Sequence, residues 1–464
     1  MKIAIIGAGL AGLTAAWEIA SRDSGHKVDV YEAEGRIGGK LYTVPFNDGP
    51  TDMGAEAFLA RNEEVVEFFT KLSLADSFVS PSGLSPLVYV DSKLQSLPSG
   101  GMMGIPSSSE SIAPLVSAET ARRIDNEEPF EWKIGGDVSV GKLVRQQFGD
   151  DVVDHVVSAL LGGVYSCTAD DLGLRATIPA LAASLDKLAA DGPVKLSEAV
   201  RAMEQARPRT PGKGAPFQTF RGGYAEVYEA LAEKSGADIH LDSFISGVTR
   251  ESEGFRVKGA PNEAGLYDRV LFATPAPTTA RLLPALSPAA SAVLKKVKLA
   301  GSVVVGFKFE SDTDPNGNRL PDNTGILVGT DQKDVHAKAF TLSSRKWPHL
   351  AERGGALVRA SFGRFGDDAL VRAEEDDLVD YALDDLQHIT GFDGRAAGVS
   401  EIFTQRWFGG IPRYDETHLD TVAAAHAALA DVPGIEATGA WSGGVGVPAV
   451  VADARGAVER LLAG

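Results

Sequence analysis

Cysteine is almost absent from this sequence: Cys167 is the single one among 464 residues. One cysteine cannot form an internal disulfide, and thiolate metal sites need clusters of ligands. A disulfide framework and a cysteine-based metal site are therefore both excluded. The eight histidines do not fall at metal-ligand spacing either, so no metal is predicted. A reducing, cytoplasmic location is expected.

Long apolar runs and an excess of positive charge are also missing. No stretch reaches the roughly eighteen apolar residues that a membrane-spanning helix needs, and the N-terminus starts with a strand pattern rather than a basic and apolar leader. No integral membrane segment is therefore predicted. Lys and Arg number 45 against 63 Asp and Glu, a net charge of −18. This field repels nucleic acid and anionic membrane surfaces, and an anionic substrate would need a local basic lining.

The sequence opens on a βαβ pattern. Lys2–Ile6 is a short apolar run typical of a buried strand, and Lys27–Glu32 is a second such run. Between them, Leu13–Arg22 has apolar residues at the period of an amphipathic helix. This order predicts two neighbouring parallel strands joined by a short helix.

The turn between the first strand and the helix carries Gly7, Gly9 and Gly12, and Glu32 follows twenty positions after the last of them. Gly7 permits the tight turn, Gly9 lets the backbone approach phosphate, and Gly12 lets the helix pack on the strand. The helix N-terminus supplies N–H donors, and Glu32 would accept hydrogen bonds from ribose hydroxyls. The glycine pattern alone is weak, but strand, turn, helix, strand and acid together predict a dinucleotide site.

Two further segments favour FAD over NAD. Glu32–Lys40 continues with Arg36, a Gly-Gly pair and a basic residue, which resembles the second fingerprint of the flavoprotein amine oxidase superfamily. The glycines let this loop fold over the pyrophosphate, and Arg36 or Lys40 offsets its charge. Near the C-terminus, Thr438–Pro448 precedes a helix whose N-terminus, in such flavoproteins, points at the flavin and stabilises negative charge on the reduced ring. FAD is therefore the predicted cofactor.

The rest of the chain predicts several interlocked domains, because 464 residues exceed one ordinary core. Val138–Ala206 is largely helical, Met203–Pro216 is a loop or linker, residues 300–365 contain strands, and Asp376–Gly391 and Val451–Ala463 are helices. The fold class is α/β, with an FAD-binding Rossmann-like domain built from discontinuous segments, a mixed-sheet substrate domain and an inserted helical subdomain. The predicted boundaries are 1–75, 217–275 and 406–464 for the FAD-binding segments, 76–206 for the helical substrate-side subdomain, and 276–405 for the substrate-binding mixed sheet.

Four segments far from the glycine turn carry a more specific resemblance. These are Leu160–Tyr165 (LLGGVY), Leu174–Thr177 (LRAT), Lys338–Pro348 (KAFTLSSRKWP) and Arg406–Tyr414 (RWFGGIPRY). With them the chain resembles, essentially end to end, the oxygen-dependent protoporphyrinogen and coproporphyrinogen oxidases, and most closely their bacterial coproporphyrinogen III branch. The KAFTLSSRKWP segment is specific to this family, since other amine oxidase relatives lack it.

The resemblance implies an FAD enzyme of haem biosynthesis that removes six hydrogens from a porphyrinogen in successive two-electron steps. Flavin would take hydride from a bridging carbon, O2 would reoxidise the flavin and give H2O2, and the product would pass to a ferrochelatase. The residues expected to line FAD come from the fingerprints and from positions that match the family. They are Gly7, Ala8, Gly9, Leu10, Ala11, Gly12, Glu32, Ala33, Arg36, Gly39, Lys40, Gly54, Ala55, Glu56, Ala57, Val248, Trp407, Gly439, Val445, Gly446 and Val447.

The substrate contacts follow from the chemistry of the porphyrinogen. A flat apolar macrocycle needs apolar and aromatic side chains on both sides, and propionates need Arg or Lys. The macrocycle candidates are Gly163, Tyr165, Ile326, Leu327 and Phe340, and the propionate candidates are Lys71, Arg61, Arg175, Lys346 and Arg406. Lys71 ranks first because its helical stretch matches the family's early substrate-side segment. No catalytic base is identified, and Cys167 is interpreted as a small buried apolar residue.

Coproporphyrinogen III is the favoured substrate because the acidic surface and the lack of an apolar anchor suit a polar tetracarboxylate. Protoporphyrinogen IX is the alternative substrate. An amine oxidase or a carotene desaturase is disfavoured by the segments KAFTLSSRKWP and LLGGVY. A flavin-containing porphyrin carrier stays open, because intact cofactor fingerprints do not require turnover.

Overall fold

The computed structural model describes residues 1–22, 25–206, 216–261 and 264–463. The chain divides into two compact units, each assembled from separated segments. The first unit comprises residues 1–80, 214–298 and 419–464, and the second comprises residues 81–213 and 299–418.

The described residues form strands and helices that are numbered in chain order. The strands are β1 (Lys2–Ile6), β2 (Lys27–Tyr31), β3 (Thr43–Pro45), β4 (Pro50–Asp52), β5 (Phe58–Leu59), β6 (Phe78–Val79), β7 (Leu87–Val90), β8 (Lys93–Ser96), β9 (Phe217–Phe220), β10 (Asp238–His240), β11 (Gly247–Glu251), β12 (Gly254–Lys258), β13 (Arg269–Phe272), β14 (Leu299–Phe309), β15 (Gly325–Val328), β16 (Ala339–Thr341), β17 (Ala356–Phe362), β18 (Val399–Pro412) and β19 (Ile435–Ala437). The helices are α1 (Leu10–Ser21), α2 (Glu63–Lys71), α3 (Ala118–Asp125), α4 (Val140–Phe148), α5 (Asp150–Val152), α6 (Ser158–Tyr165), α7 (Leu174–Thr177), α8 (Pro179–Ala189), α9 (Leu196–Ala206), α10 (Ala225–Ser235), α11 (Ala276–Leu282), α12 (Pro288–Leu294), α13 (Ser343–Lys346), α14 (Pro348–Ala351), α15 (Asp368–Arg372), α16 (Glu375–Thr390), α17 (His418–Ala430) and α18 (Val447–Ala463).

The first unit is built on a five-stranded sheet in the order β10-β2-β1-β13-β19. Each of its pairings is parallel. Ile6 pairs with both Tyr31 and Phe272, and Phe272 pairs with Ala437, so four strands end at one edge of the sheet. The residues that follow these ends therefore meet there, which is where parallel α/β sheets bind ligands.

Two helices of this unit begin earlier than their sequence pattern predicts. The helix predicted over Leu13–Arg22 begins at Leu10, because Gly9 is still extended and the chain turns helical directly after it. The helix predicted over Val451–Ala463 begins at Val447. Pro448 lies in its first turn, where the missing N–H has no intrahelical partner to lose.

The second unit is built on a seven-stranded sheet in the order β18-β14-β17-β16-β15-β7-β8. β15 and β7 are parallel and the other neighbours are antiparallel, so the prediction of a mixed sheet is confirmed. One face packs against α16 in a core that includes Val305, Phe307, Phe340 and Leu386. We call the opposite side of this sheet the open face.

The helical stretch predicted over Val138–Ala206 is divided into α4 to α9. Ser139 caps α4 by accepting a hydrogen bond from the Lys142 N–H at 3.2 Å. Gly149 ends α4 with a φ of 105°, and Ser166 ends α6 in the left-handed conformation with a φ of 51°. The linker predicted over Met203–Pro216 begins inside α9, and residues 207–215 lie outside the described residues.

The helices of the four described ranges are short or carry polar and charged faces. None of them combines the length and the apolar character that crossing a bilayer requires.

Candidate functional site

The glycine turn after β1 depends on missing side chains at two of its positions. A Cβ at Gly12 would lie 1.9 Å from the Gly7 carbonyl oxygen, and a Cβ at Gly7 would lie 2.6 Å from the Ala273 carbonyl oxygen. At Gly9, by contrast, the nearest atom would be the Gly39 Cα at 3.8 Å. Gly7 and Gly12 therefore permit close backbone packing, whereas Gly9 leaves open space in front of the turn.

This space faces the N-terminus of α1. The Leu13 N–H donates to the Gly9 carbonyl at 3.0 Å, so the backbone N–H groups of Leu10, Ala11 and Gly12 precede the first intrahelical hydrogen bond. Such N–H groups and the positive end of the helix dipole suit a phosphate group. The turn is therefore built for an anion at the place where the sequence predicts a pyrophosphate.

Glu32 follows the end of β2 and is held beside this turn. Its Oε2 accepts a hydrogen bond from the Ala8 N–H at 2.8 Å, and its Oε1 accepts one from the Glu34 N–H at 3.0 Å. Each carboxylate oxygen can accept a further hydrogen bond. A ribose hydroxyl is a suitable donor.

Arg36 was predicted as a cation that could offset the pyrophosphate charge, but its guanidinium is hydrogen-bonded to the backbone of its own loop. Its guanidinium donates to the carbonyls of Gly39 at 2.8 Å and Ile37 at 3.2 Å, and it lies 4.1 Å from the ring centre of Tyr42. The Gly38 N–H in turn donates to the Ala8 carbonyl at 2.9 Å. Arg36 thus fixes the loop that lies against the glycine turn.

Lys40 is the second cation that the sequence predicts for neutralising a phosphate. Desolvation lowers the pKa of its ammonium to about 8. Within the described ranges it forms no ion pair with a carboxylate. Its carbonyl accepts a hydrogen bond from the Ala55 N–H at 3.2 Å, and a Cβ at Gly54 would lie 2.1 Å from that same carbonyl. The predicted segment Gly54–Ala57 therefore packs directly on the Lys40 backbone.

One carboxylate accepts hydrogen bonds from the segment that follows β19. Asp453, on α18, accepts hydrogen bonds from the Thr438 hydroxyl at 2.5 Å, the Gly439 N–H at 3.2 Å and the Ser442 hydroxyl at 2.8 Å. Residues 438–442 follow β19 at the edge where β1 and β2 also end. Val445, Gly446 and Val447 lead into the N-terminus of α18, a helix of 17 residues.

Two of the residues expected to line FAD belong to other elements of the fold. Val248 is 1% exposed and pairs with Val257 in the β11–β12 hairpin, so its side chain is part of the core. Trp407 is in β18 of the second unit, where it pairs with Ser302 and is half-buried.

The predicted macrocycle contacts divide between the two faces of the seven-stranded sheet. Ile326 and Phe340 are cross-strand partners in the core beneath α16, 1% and 2% exposed. Leu327, the next residue, points to the open face, where its Cδ2 would lie 3.8 Å from a Cβ at Gly163. The register places Trp407 on this face as well. Leu327 and Gly163 are therefore brought together, away from Ile326 and Phe340.

Tyr165 lies on the last turn of α6. It is 9% exposed, and its ring centre is 6.0 Å from that of Tyr414. Burial raises the pKa of its hydroxyl to about 12, so the phenol is neutral at physiological pH. The Cys167 thiol, which follows closely, is fully buried with its pKa raised to about 12 for the same reason, as fits a small core residue.

The residues predicted to contact propionates differ in how many hydrogen bonds and ion pairs they already form within the protein. Arg175 donates twice to Asp186 at 2.9 Å, and Arg406 donates to the carbonyls of Val371 at 2.8 Å and Ala373 at 2.7 Å. Lys71 is 53% exposed and pairs with Glu67 at 2.8 Å along α2. Of the remaining candidates, Arg61 is exposed, and the Lys346 ammonium is 5.2 Å from the ring centre of Trp347.

Sequence reasoning missed Lys338 as an individual residue, although it opens the KAFTLSSRKWP segment. It is 5% exposed, and its ammonium donates to the Ser166 hydroxyl at 2.8 Å and to the Gly363 carbonyl at 2.6 Å. Desolvation and the nearby Arg364 charge lower its pKa to about 7. The signal available in the sequence was a lysine next to an apolar strand run. Burying an ammonium costs free energy unless it is paired, so a lysine in such a position is a candidate functional residue.

Comparison with known proteins decides the family. The sequence model of the flavin-containing amine oxidoreductases matches residues 10–462. The chain belongs to this family. This flavin-containing amine oxidoreductase is 37% identical to the coproporphyrinogen III oxidase of Mycobacterium tuberculosis, over 99% of this chain and 96% of that protein. It is 35% identical to the coproporphyrinogen III oxidase of Mycobacterium leprae, over 99% and 98%.

A solved structure supports the same assignment. The structure of a putative protoporphyrinogen oxidase from Exiguobacterium sp. 255-15 is similar with a TM-score of 0.84 and 25% identity, over 99% of this chain and 98% of that chain. The predicted fold class and the predicted resemblance to the porphyrinogen oxidases are therefore confirmed.

FAD is the cofactor of this flavin-containing amine oxidoreductase. The first unit fits the group on its own geometry. A Cβ at Gly9 would project into the open space before α1, Glu32 offers acceptor oxygens beside it, and Lys40 brings a desolvated cation. These are the requirements of a pyrophosphate and its adjoining ribose.

Proposed function

We propose that this chain is an FAD-dependent oxidase that converts coproporphyrinogen III to coproporphyrin III, with O2 as the electron acceptor and H2O2 as the second product. The observation that carries this proposal is the similarity to coproporphyrinogen III oxidases over 99% of the chain, which spans both units. Each porphyrinogen would lose six hydrogens and reduce three O2 to three H2O2. The reaction belongs to haem biosynthesis and would take place in the cytoplasm.

In this proposal the first unit holds the cofactor. The turn at Gly7–Gly12 and the N-terminus of α1 receive the pyrophosphate, Glu32 accepts from the ribose, and Lys40 neutralises charge. The Thr438–Val447 segment presents the N-terminus of α18 to the flavin, where its dipole favours negative charge on the reduced ring. FAD, when bound, supplies the two-electron acceptor of each oxidation step.

The second unit would receive the porphyrinogen on its open face. Leu327 and Trp407 offer apolar surface there, and Gly163 packs next to Leu327, where a Cβ would come within 3.8 Å of its Cδ2. Tyr165 would add an uncharged phenol, since burial raises its pKa to about 12. The work of these residues is to orient the macrocycle and exclude water.

Lys71 remains our first candidate for a propionate contact. Its partner Glu67 is 67% exposed, and an exposed ion pair between neighbouring turns contributes little to stability, so the ammonium can exchange it for a substrate carboxylate. Arg175 and Arg406 would have to break several hydrogen bonds to do the same. Transfer of the product to a ferrochelatase is part of the proposal as well.

Protoporphyrinogen IX is the second candidate substrate, favoured by the similarity to a structure named as a putative protoporphyrinogen oxidase. The net charge of −18 is a weaker argument for coproporphyrinogen III than the similarity to coproporphyrinogen III oxidases. Net charge affects the solubility of the whole protein and does not describe the substrate pocket.

The test is oxygen-coupled turnover by the purified yellow protein. Porphyrin fluorescence and H2O2 would be followed together after addition of coproporphyrinogen III. We expect three H2O2 for each porphyrin formed, many turnovers for each FAD, and no turnover in sealed anaerobic samples. Porphyrin binding without oxygen consumption would instead support a flavin-containing porphyrin carrier and would contradict the oxidase.

A further inference from the structure

Two segments that are far apart in the sequence meet at a pair of cations in the second unit. The Lys338 ammonium, at the start of KAFTLSSRKWP, donates to the Ser166 hydroxyl at 2.8 Å, and Ser166 directly follows the LLGGVY segment. The Lys338 ammonium also donates to the Gly363 carbonyl at 2.6 Å. An ammonium has three N–H donors, so one remains for another acceptor.

The second cation is Arg364, which follows Gly363. Its Nε is buried and has no hydrogen-bond partner among the described residues, and its Nη2 reaches the Val328 carbonyl at 3.4 Å. A Cβ at Gly162 would lie 3.8 Å from this Nε, so the guanidinium is beneath the Gly162–Gly163 pair. The same pair borders Leu327 on the open face, since a Cβ at Gly163 would lie 3.8 Å from the Leu327 Cδ2.

No carboxylate of the described residues forms an ion pair with either cation. Asp367 attracts both from a longer range, while each cation is desolvated and Arg364 repels Lys338. Buried charges in folded proteins are normally paired, because an unpaired one loses its hydration without compensation. Lys338, whose pKa of about 7 leaves it partly protonated, and the neighbouring Arg364 therefore have capacity for an anion that a ligand would supply.

We propose that Lys338 and Arg364 form a carboxylate subsite that binds one propionate of the tetrapyrrole substrate. This inference deepens the proposed function and rests on it. The propionate would accept from the remaining Lys338 N–H and from the Arg364 Nε, and charge-assisted bonds of this kind hold carboxylates most firmly. The macrocycle that carries it would lie beside the Gly162–Gly163 pair.

The test is equilibrium binding of coproporphyrin III to the FAD-loaded protein, with Lys338→Met and Arg364→Met compared with wild type. We expect each variant to raise the Kd about tenfold and to raise the KM for coproporphyrinogen III similarly, with kcat changed less than about twofold. Lys338→Arg should restore binding to within about threefold, since it keeps the charge. Arg395→Met is the matched control, because Arg395 is a surface cation of the same unit with its own carboxylates, Asp380 and Asp384.

Arg364→Met separates ligand binding from a purely structural role. Because its Nε is unpartnered and its charge repels Lys338, removing the guanidinium should leave Tm unchanged or higher while binding weakens. If both cations merely complement the C-terminal end of α6, Arg364→Met will lower Tm and leave the Kd for coproporphyrin III unchanged, which would overturn the inference. A Kd shift as large in Arg395→Met would overturn it too.

Wild-type behaviour distinguishes this inference from the proposed function. A wild-type protein that oxidises coproporphyrinogen III, with unchanged Kd in Lys338→Met and Arg364→Met, would refute the subsite alone. A wild-type protein that neither binds coproporphyrin III nor oxidises its porphyrinogen would refute the proposed function and the subsite together.

Discussion

At the scale of single residues, we expect cofactor binding to depend on the absence of a side chain at Gly12. A Cβ at Gly12 would lie 1.9 Å from the Gly7 carbonyl oxygen, so Gly12→Ala must displace either α1 or the turn. We expect the purified variant to contain less than a tenth of the wild-type FAD, measured by flavin absorbance relative to protein absorbance.

Gly236→Ala is the control for this substitution. Gly236 ends α10 with a φ of 57°, and a Cβ there would meet no atom within 4 Å. It should cost about 1 kcal/mol of stability, because alanine is strained in the left-handed region, and keep its FAD. A Gly12→Ala protein as yellow as this control would refute the assignment of the turn.

We expect Lys40 to make cofactor binding depend on pH. Burial holds the pKa of its ammonium at about 8, against an ordinary lysine value of about 10.4 in the unfolded chain. Between these values the unfolded chain binds more protons, so the stability of the cofactor-free protein should rise with pH over this window and be lowest below it. A bound pyrophosphate favours the protonated ammonium, so FAD affinity should move in the opposite direction and fall as pH rises above about 8.

Titration of the cofactor-free protein with FAD between pH 7 and pH 9.5, read by flavin fluorescence, would check this dependence, with the window set by the pKa of about 8. Lys40→Arg should keep the affinity and lose the pH slope, because a guanidinium stays charged across the range. Lys40→Met should bind FAD more weakly, with an equally flat profile. The same slope in all three proteins would mean that another group titrates.

At the scale of elements, α18 and the segment before it act together through Asp453. The carboxylate accepts three hydrogen bonds from residues 438–442, which connect β19 to the start of α18. Asp453→Asn should lower the free energy of unfolding by about 2–3 kcal/mol, because bonds to a charged acceptor are lost. It should also lower the temperature at which flavin fluorescence appears on heating.

Glu459→Gln, on the same helix, is the comparison for this prediction. Glu459 is 69% exposed and lies 3.5 Å from Arg22, so its loss should cost under about 0.5 kcal/mol and leave FAD release unchanged. Equal effects of the two substitutions on urea unfolding and on FAD release would contradict the role given to Asp453.

At the scale of the whole molecule, the elements and the fold class could be predicted because each rests on local pattern. The short βαβ unit at the N-terminus is one such pattern: it brings together the apolar run at Lys2–Ile6, the glycines after it and the acid Glu32. In the structure β1 pairs with β2, and Glu32 accepts a hydrogen bond from the Ala8 N–H in the glycine turn. The strands between residues 300 and 365 follow from apolar runs in the same way. Helix starts were less accurate, because Gly9 immediately precedes α1 and Pro448 lies in the first turn of α18, and glycine and proline are residue types that helix interiors disfavour.

The roles of single charged residues could not be predicted in this way, because their partners are distant in sequence. Arg406 donates to carbonyls near residue 372, and Lys338 reaches Ser166, contacts that exist only after the second unit has folded. Ile326 and Leu327 lie on opposite faces of the sheet, and which of them enters the core depends on which face α16 covers. A strand pattern gives the alternation of side chains but not the covered face.

Oxidation of coproporphyrinogen III by bound FAD can be tested by comparing two substrates on one preparation. The yellow protein would be given coproporphyrinogen III and protoporphyrinogen IX in parallel under air, with porphyrin fluorescence recorded from the first seconds. We expect a higher kcat/KM for coproporphyrinogen III, by about tenfold or more, since that substrate carries the additional propionates. A higher kcat/KM for protoporphyrinogen IX, or no oxidation of either substrate by FAD-loaded protein, would contradict it.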